Sequence, residues 1–168
     1  QYADNLKLGM TQRQILECYM IMGGVPFYWS FLNRRLGLAQ NIDSIFFDED
    51  AALKGEFDEL YSSLFREPET YIIIVTTLGM KKAGMTREEL AREGNLQENG
   101  KLTRALEDLE YCGFIRKYQQ FGKKVKGTIF QLTDFYTLFY FKYIQNNKHG
   151  DMQFWSKSLN SPMHNSWC

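Results

Sequence analysis

Residues 86–132 carry the pattern that most limits what this chain can fold into, because a helical period gives way there to a two-residue alternation. Thr86 and Glu89 stand three residues apart, the spacing at which a hydroxyl and a carboxylate satisfy each other's free backbone N–H groups at a helix start. Leu90 and Ala91 supply its inward face, and Gly94 ends it. A turn over 95–100 leads into a second helix from about Gly100 to Tyr111. Leu102, Ala105, Leu106 and Leu109 lie on one face of that helix, and Gly113 stops it. Residues 114–121 and 128–132 then alternate as strands, with glycines at 122 and 127 bounding a turn that contains Lys123, Lys124 and Lys126.

Helix, turn, helix and a two-stranded β wing form the outline of a winged helix-turn-helix, a module that docks on DNA or on protein. The second helix of such a module enters the major groove. The cations placed to meet nucleic acid are Lys101, Arg104, Lys123, Lys124 and Lys126, with Thr103 and either Gln97 or Asn99 near the helix start. Glu107, Asp108 and Glu110 on the same helix would repel phosphates. DNA and protein therefore both stand as targets.

Lys plus Arg and Asp plus Glu number 20 each, so no global field draws the chain to nucleic acid. The balance hides a local split. Residues 43–70 hold nine acidic side chains against Lys54 and Arg66, whereas 101–132 hold seven basic ones against Glu107, Asp108 and Glu110. With 44% hydrophobic and 15% aromatic residues in 168, one ordinary domain or two small ones can bury a core. No apolar run approaches the roughly 18 residues of a membrane span, and no signal peptide opens the chain. Cys18, Cys112 and Cys168 lack metal-ligand spacing; Cys18 and Cys112 fall on apolar helix faces and read as buried thiols in a reducing, cytoplasmic setting.

Upstream, residues 11–65 read as helical. Ile15, Leu16, Tyr19, Met20 and Met22 form a stripe that Gly23-Gly24-Val25-Pro26 interrupts. Pro26 suits the first turn of the next helix, expected over 27–36, with further helices over 38–47 and 51–65. Asp48-Glu49-Asp50 is expected to cap the last of these rather than to hold Mg²⁺, since consecutive carboxylates do not converge on one ion. Glu67-Pro68 marks a boundary, which gives a helical part over 1–67, the winged module over 68–134 and a third region over 135–168. Residues 71–78 are rich in β-branched side chains, and periodicity leaves strand and helix open. Residues 135–143 return to an aromatic helix. The polar tail has no assigned structure, and His149 and His164 in it read as solvated loop side chains.

Gly79-Met-Lys-Lys-Ala-Gly84-Met85-Thr86 fits G-x-x-x-x-G-K-[ST] except that Met85 replaces the lysine. A phosphate loop needs that cation on the terminal phosphates, so a linker whose Thr86 caps the next helix is the better reading. No nucleophile elbow, C-x-x-C or H-E-x-x-H is present, and no carboxylate pair stands out for acid–base work. The chain offers no catalytic residues or metal ligands of its own.

Taken together, ILECYMIMGGVPFYWSFLN (15–33), LAQNIDSIFFDEDAALKGEFDELYSSLF (38–65), GKLTRALEDLEYCGFI (100–115) and FQLTDFYTLFYFKYI (130–144) resemble the C-terminal region of prokaryotic AAA+ ATPases of the archaeal-type, STAND-like P-loop group. The resemblance implies a mainly α fold: a helical lid whose G-G-x-P turn is Gly23, Gly24 and Pro26, then a winged helix, then the start of a further region. It also implies that 71–78 is helical. The Walker A lysine and Walker B acid would lie upstream, so this segment binds no cofactor alone, while ATP and Mg²⁺ are expected for the parent protein. A nucleotide-sensing arginine would be Arg13, Arg34 or Arg35. The partners implied are the upstream ATPase core and double-stranded DNA or another protein, with no membrane. The competing readings are an autonomous winged-helix transcriptional regulator, with residues 11–65 as a dimerisation or effector bundle, and a structural adaptor.

Overall fold

The computed structural model describes residues 9–119, 127–147 and 150–167. The chain is mainly helical with one small antiparallel sheet, and it divides into two compact units. The first comprises Gln1–Glu56 with Lys142–Cys168, and the second Phe57–Phe141. These limits differ from boundaries at 67/68 and 134/135.

In the first unit, Thr11 caps α1 (Gln12–Met22) through a reciprocal hydroxyl–glutamine box with Gln14. Gly23 closes α1 with a positive φ of 62° and donates its N–H to the Tyr19 carbonyl. Pro26 then opens α2 (Pro26–Trp29), a single turn. The helix expected over 27–36 ends at Trp29, and the turn over 33–36 that follows is held by the side chain of Asn41 instead. The buried Asn41 side chain accepts from Asn33 N–H and donates to the carbonyls of Asn33, Leu36 and Gly37. Asn41 belongs to α3 (Leu38–Phe46). Asp48, Glu49 and Asp50 cap nothing: the next helix, α4 (Glu56–Leu64), starts well after them. Ala51 and Leu53 are drawn into the core, and Leu53 N–H bonds back to the Ile45 carbonyl. Burying those two side chains outweighs an earlier helix start.

The tail is ordered by this unit's core. Helix α9 (Phe154–Ser158) and α10 (Pro162–Asn165) follow the loop after residue 144, and Trp155 is fully buried. Trp155 and Ser156 donate their backbone N–H groups to the two carboxylate oxygens of Asp43 at 2.7 and 3.0 Å. A residue 112 positions away thus satisfies the first turn of α9. His164, expected in solvent, is buried against the Trp155 ring and bonds Glu17 Oε1 at 3.2 Å through Nε2. No local sequence signal announces that pair. His149 lies outside the described residues.

The second unit holds all of α4 but its first residue, then α5 (Pro68–Gly79), β1 (Met85–Thr86), α6 (Arg87–Glu93), α7 (Gly100–Tyr111), β2 (Ile115–Gln119), β3 (Thr128–Leu132) and α8 (Phe135–Phe139), which runs into a π-helical turn at Tyr140–Ile144. Helix α5 forms in spite of six successive β-branched residues. Their helix penalty is at most about 0.7 kcal/mol each, whereas fully burying Ile74, Val75 and Leu78 contributes about 2 kcal/mol each. Pro68 at its first position and the Thr77 hydroxyl on the Ile73 carbonyl support it.

The sheet has three strands in the order β1-β3-β2, all antiparallel, rather than a two-stranded wing. Met85 opposes Phe130 and Thr86 opposes Ile129; two residues are too short to show an alternation. The capping box at Thr86 forms as expected, with Glu89 Oε2 accepting from Thr86 N–H at 2.9 Å. The core joins Ile74, Val75, Leu78, Met85, Leu90, Leu102, Leu106, Leu109, Ile115 and Ile129. Phe57, Tyr61, Phe65 and Phe114 extend it as an aromatic cluster. Burial drives the Tyr61 hydroxyl far above its ordinary range, while its contact with Thr137 opposes that rise.

Cys18 is fully buried, and burial with Glu17 beside it pushes its thiol up to about 12. Cys112, expected buried, is exposed, because α7 stops at Tyr111 and leaves it at the cap, off the apolar stripe. With Cys168 replaced by serine, a disulfide-exchange dye at pH 8 is expected to modify one thiol per folded chain, Cys112. The second should react only in denaturant. Rapid labelling of Cys18 in the folded chain would contradict the packing of α1.

Candidate nucleic-acid interface

Helix α7 owes its position to Asn99, whose side chain accepts the N–H groups of Lys101 and Leu102. Its apolar stripe faces the core, so Gly100, Arg104, Glu107 and Tyr111 are turned outward. Tyr111 is 93% exposed. Along one flank runs a groove of about 450 Å³ lined by Arg66, Glu67, Thr70, Tyr71, Gly100, Lys101, Arg104 and Ala105. Its side walls are the starts of α5 and α7. Tyr71 is fixed in place by stacking on Phe65, with ring centroids 3.8 Å apart, and by donating its hydroxyl to Asp108 Oδ2 at 2.7 Å. Burial, then the Asp108 carboxylate, pushes that phenol up to about 12.

The two described residues of the expected basic set, Lys101 and Arg104, both line this groove. Lys123, Lys124 and Lys126 lie outside the described residues. Lys101 Nζ meets Glu67 Oε2 at 2.6 Å, which lowers the Glu67 carboxyl and raises the Lys101 ammonium. Both groups are open to water, so the pair contributes little to stability. Arg66 was not singled out by sequence, because it stands two residues before Pro68 and far along the chain from the amphipathic helix; only the packing of α5 beside α7 places it in the same groove as Arg104.

The other flank is differently used. Arg87 donates to the Thr103 hydroxyl at 2.7 Å and the Asn99 carbonyl at 2.9 Å, tying α6 to α7. Lys117 on β2 meets Glu110 at 2.6 Å. Glu110 is therefore neutralised locally and does not project a bare charge from α7. Asp108 is likewise engaged, by Tyr71.

Comparison with family models, curated proteins and solved structures finds no match for this chain. Its chemistry rests on its own geometry. Residues 79–86 do not build a nucleotide loop: a helix, α5, precedes them instead of a strand, and a glycine is needed at both ends for packing. A Cβ on Gly79 would stand 2.9 Å from the Phe141 ring, and one on Gly84 would strike the Phe130 carbonyl. Among the described residues, no group of three or more His, Cys, Asp or Glu is placed to hold a metal ion, and no helix is long and apolar enough to cross a membrane.

In the first unit, Gly23, Gly24 and Pro26 form a defined turn. The Gly23 carbonyl accepts the buried Trp29 indole N–H at 2.8 Å, and Gly24 sits against the Tyr19 ring. Val25 and Phe27 beside it are exposed. Arg13, Arg34 and Arg35 are all exposed. Arg34 alone of the three lines a groove of about 210 Å³ with Asn33, Gly37 and Asn41.

Proposed function

We propose that this chain is the lid and winged-helix portion of an AAA+ P-loop ATPase, in which nucleotide state governs docking of the winged helix on duplex DNA. The observation that carries the docking half is the basic groove beside α7. The order α5-β1-α6-α7-β2-β3 and the sheet order β1-β3-β2 match the element order of a winged helix, and Lys101 and Arg104 of α7 are exposed, which supports the winged-helix reading. The lid half rests on the resemblance of residues 15–65, with the Gly23-Gly24-Val25-Pro26 turn as the surface offered to an upstream ATPase core. ATP and Mg²⁺ belong to that core. A partner protein is the second reading of the same face, favoured by the pairing of Glu110 with Lys117 and the full exposure of Tyr111.

A salt titration of duplex binding separates them. Three phosphate contacts give a log–log slope of about −2.7, so affinity should fall about twentyfold between about 50 and about 150 mM salt. Reversing the charges of Lys123 and Lys124 should lower the affinity and flatten the slope. Duplex affinity that is absent, or indifferent to salt, would leave protein docking as the role of this face. For the lid half, a full-length protein carrying an intact phosphate-loop lysine should change its duplex affinity when ATP replaces ADP; equal affinities would remove the coupling.

A further inference from the structure

The groove between α5 and α7 holds three cations, Arg66, Lys101 and Arg104, and within its lining one acid, Glu67. Arg66 and Arg104 are exposed, and neither makes a hydrogen bond or ion pair among the described residues. Lys101 is held by Glu67 at 2.6 Å, with both side chains more than half exposed. Glu69, on the first turn of α5, adds a second negative charge near Lys101, and Asp108 is occupied by the Tyr71 hydroxyl. The arrangement is a cationic seat whose third arm is already bound by a carboxylate of the same chain. A phosphate oxyanion is the complementary ligand: it accepts bidentate hydrogen bonds from guanidinium groups and offers Lys101 a stronger partner than a monovalent carboxylate.

We propose that this groove seats one backbone phosphate of a duplex, with Arg66 and Arg104 as its ligands, and that Glu67 is a built-in competitor which Lys101 must leave for the phosphate to be bound by all three. The inference rests on the duplex reading of α7 and deepens it: it adds Arg66 to the interface and assigns Glu67 an inhibitory part. Glu67 thereby sets a threshold. A ligand that brings only a weak or transient anion leaves the ion pair closed, while a polyanion held by neighbouring contacts opens it. Exposed ion pairs exchange partners at little cost, so the device needs no movement of the helices.

The test compares Glu67→Gln, Arg104→Ala, Arg66→Ala and the off-groove control Lys82→Ala for duplex binding at fixed salt. In parallel, inorganic phosphate is titrated while the backbone amide signals of Thr70, Gly100 and Lys101 are followed. E67Q is expected to bind duplex about three- to tenfold tighter, R104A and R66A about five- to tenfold weaker with slopes flatter by at most about 0.9, since both act on the same phosphate, and K82A within twofold of the parent. Phosphate should shift the three amides, more strongly in E67Q and less in R104A. All four positions are on the surface, and melting curves matching the parent would establish that folding is intact. Duplex binding that ignores E67Q, R104A and R66A would overturn the groove while leaving the duplex reading in place. Phosphate shifts at the three amides without duplex binding would keep the anion seat and remove its assignment to DNA. Absence of both would overturn both.

Discussion

Replacing Gly84 with alanine is expected to destabilise the second unit by about 2–5 kcal/mol, the largest effect expected among the described glycines. Gly84 has a φ of +80°, where an L-side chain is strained by roughly 1–2 kcal/mol. A Cβ there would strike the Phe130 carbonyl oxygen and stand 2.7 Å from Ile129 Cγ2. Both neighbours belong to the central strand β3, so the backbone cannot yield without breaking the pairing of Met85 with Phe130. Overpacking of that kind adds about 1–3 kcal/mol. Gly100 is the contrast: nothing lies within 4 Å of an added Cβ, and alanine there should change stability by under about 1 kcal/mol. Urea unfolding followed by far-ultraviolet circular dichroism reads both. All three tryptophans, Trp29, Trp155 and Trp167, lie in the first unit, so the tryptophan fluorescence transition should move far less in G84A than the dichroism does. A loss below about 1 kcal/mol would mean that β1 does not pack on β3 as described.

Asp43→Ala is expected to cost about 3 kcal/mol in the first unit, and there the tryptophan transition should report it in full. The two carboxylate oxygens accept from Trp155 and Ser156 N–H at 2.7 and 3.0 Å, and Asp43 is buried. Hydrogen bonds to a charged acceptor contribute about 1.5–3 kcal/mol, and alanine leaves two N–H groups without it. Asp43→Asn keeps one acceptor oxygen and turns an NH₂ toward the second N–H, so it should fall between the parent and the alanine variant. Trp155 would lose its fixed position first, with a red-shifted emission at low urea. An unchanged midpoint in D43A would show that Asp43 does not hold α9.

Local chemistry was legible where neighbours in sequence are neighbours in space. The Thr86–Glu89 box, the apolar stripe of α7, the strand at Thr128–Leu132 and the proline opening α2 each rest on a few consecutive residues, and each forms. The exposure of Lys101 and Arg104 was legible too, because they sit on that stripe's outer side. The helix at 71–78 followed from the resemblance rather than from its residues, whose β-branched run argued for a strand.

What sequence periodicity could not supply was any contact across many residues. Arg66 sharing a groove with Arg104, Glu67 closing on Lys101, Asp43 capping a helix 112 residues away and His164 paired with Glu17 carry no local signature. The acidic run at 48–50 and the aromatic run at 27–36 looked like helix material, yet burial of Ala51 and Leu53 and the hydrogen bonds of Asn41 set the chain's path instead. The sequence by itself determined the elements whose signals are local, such as α1, α6, α7 and β3, because capping and periodic burial act over a turn or two. Tertiary packing alone decided which charges meet, because Coulombic and hydrogen-bond partners are chosen by distance in space, and that distance exists only once the helices have docked.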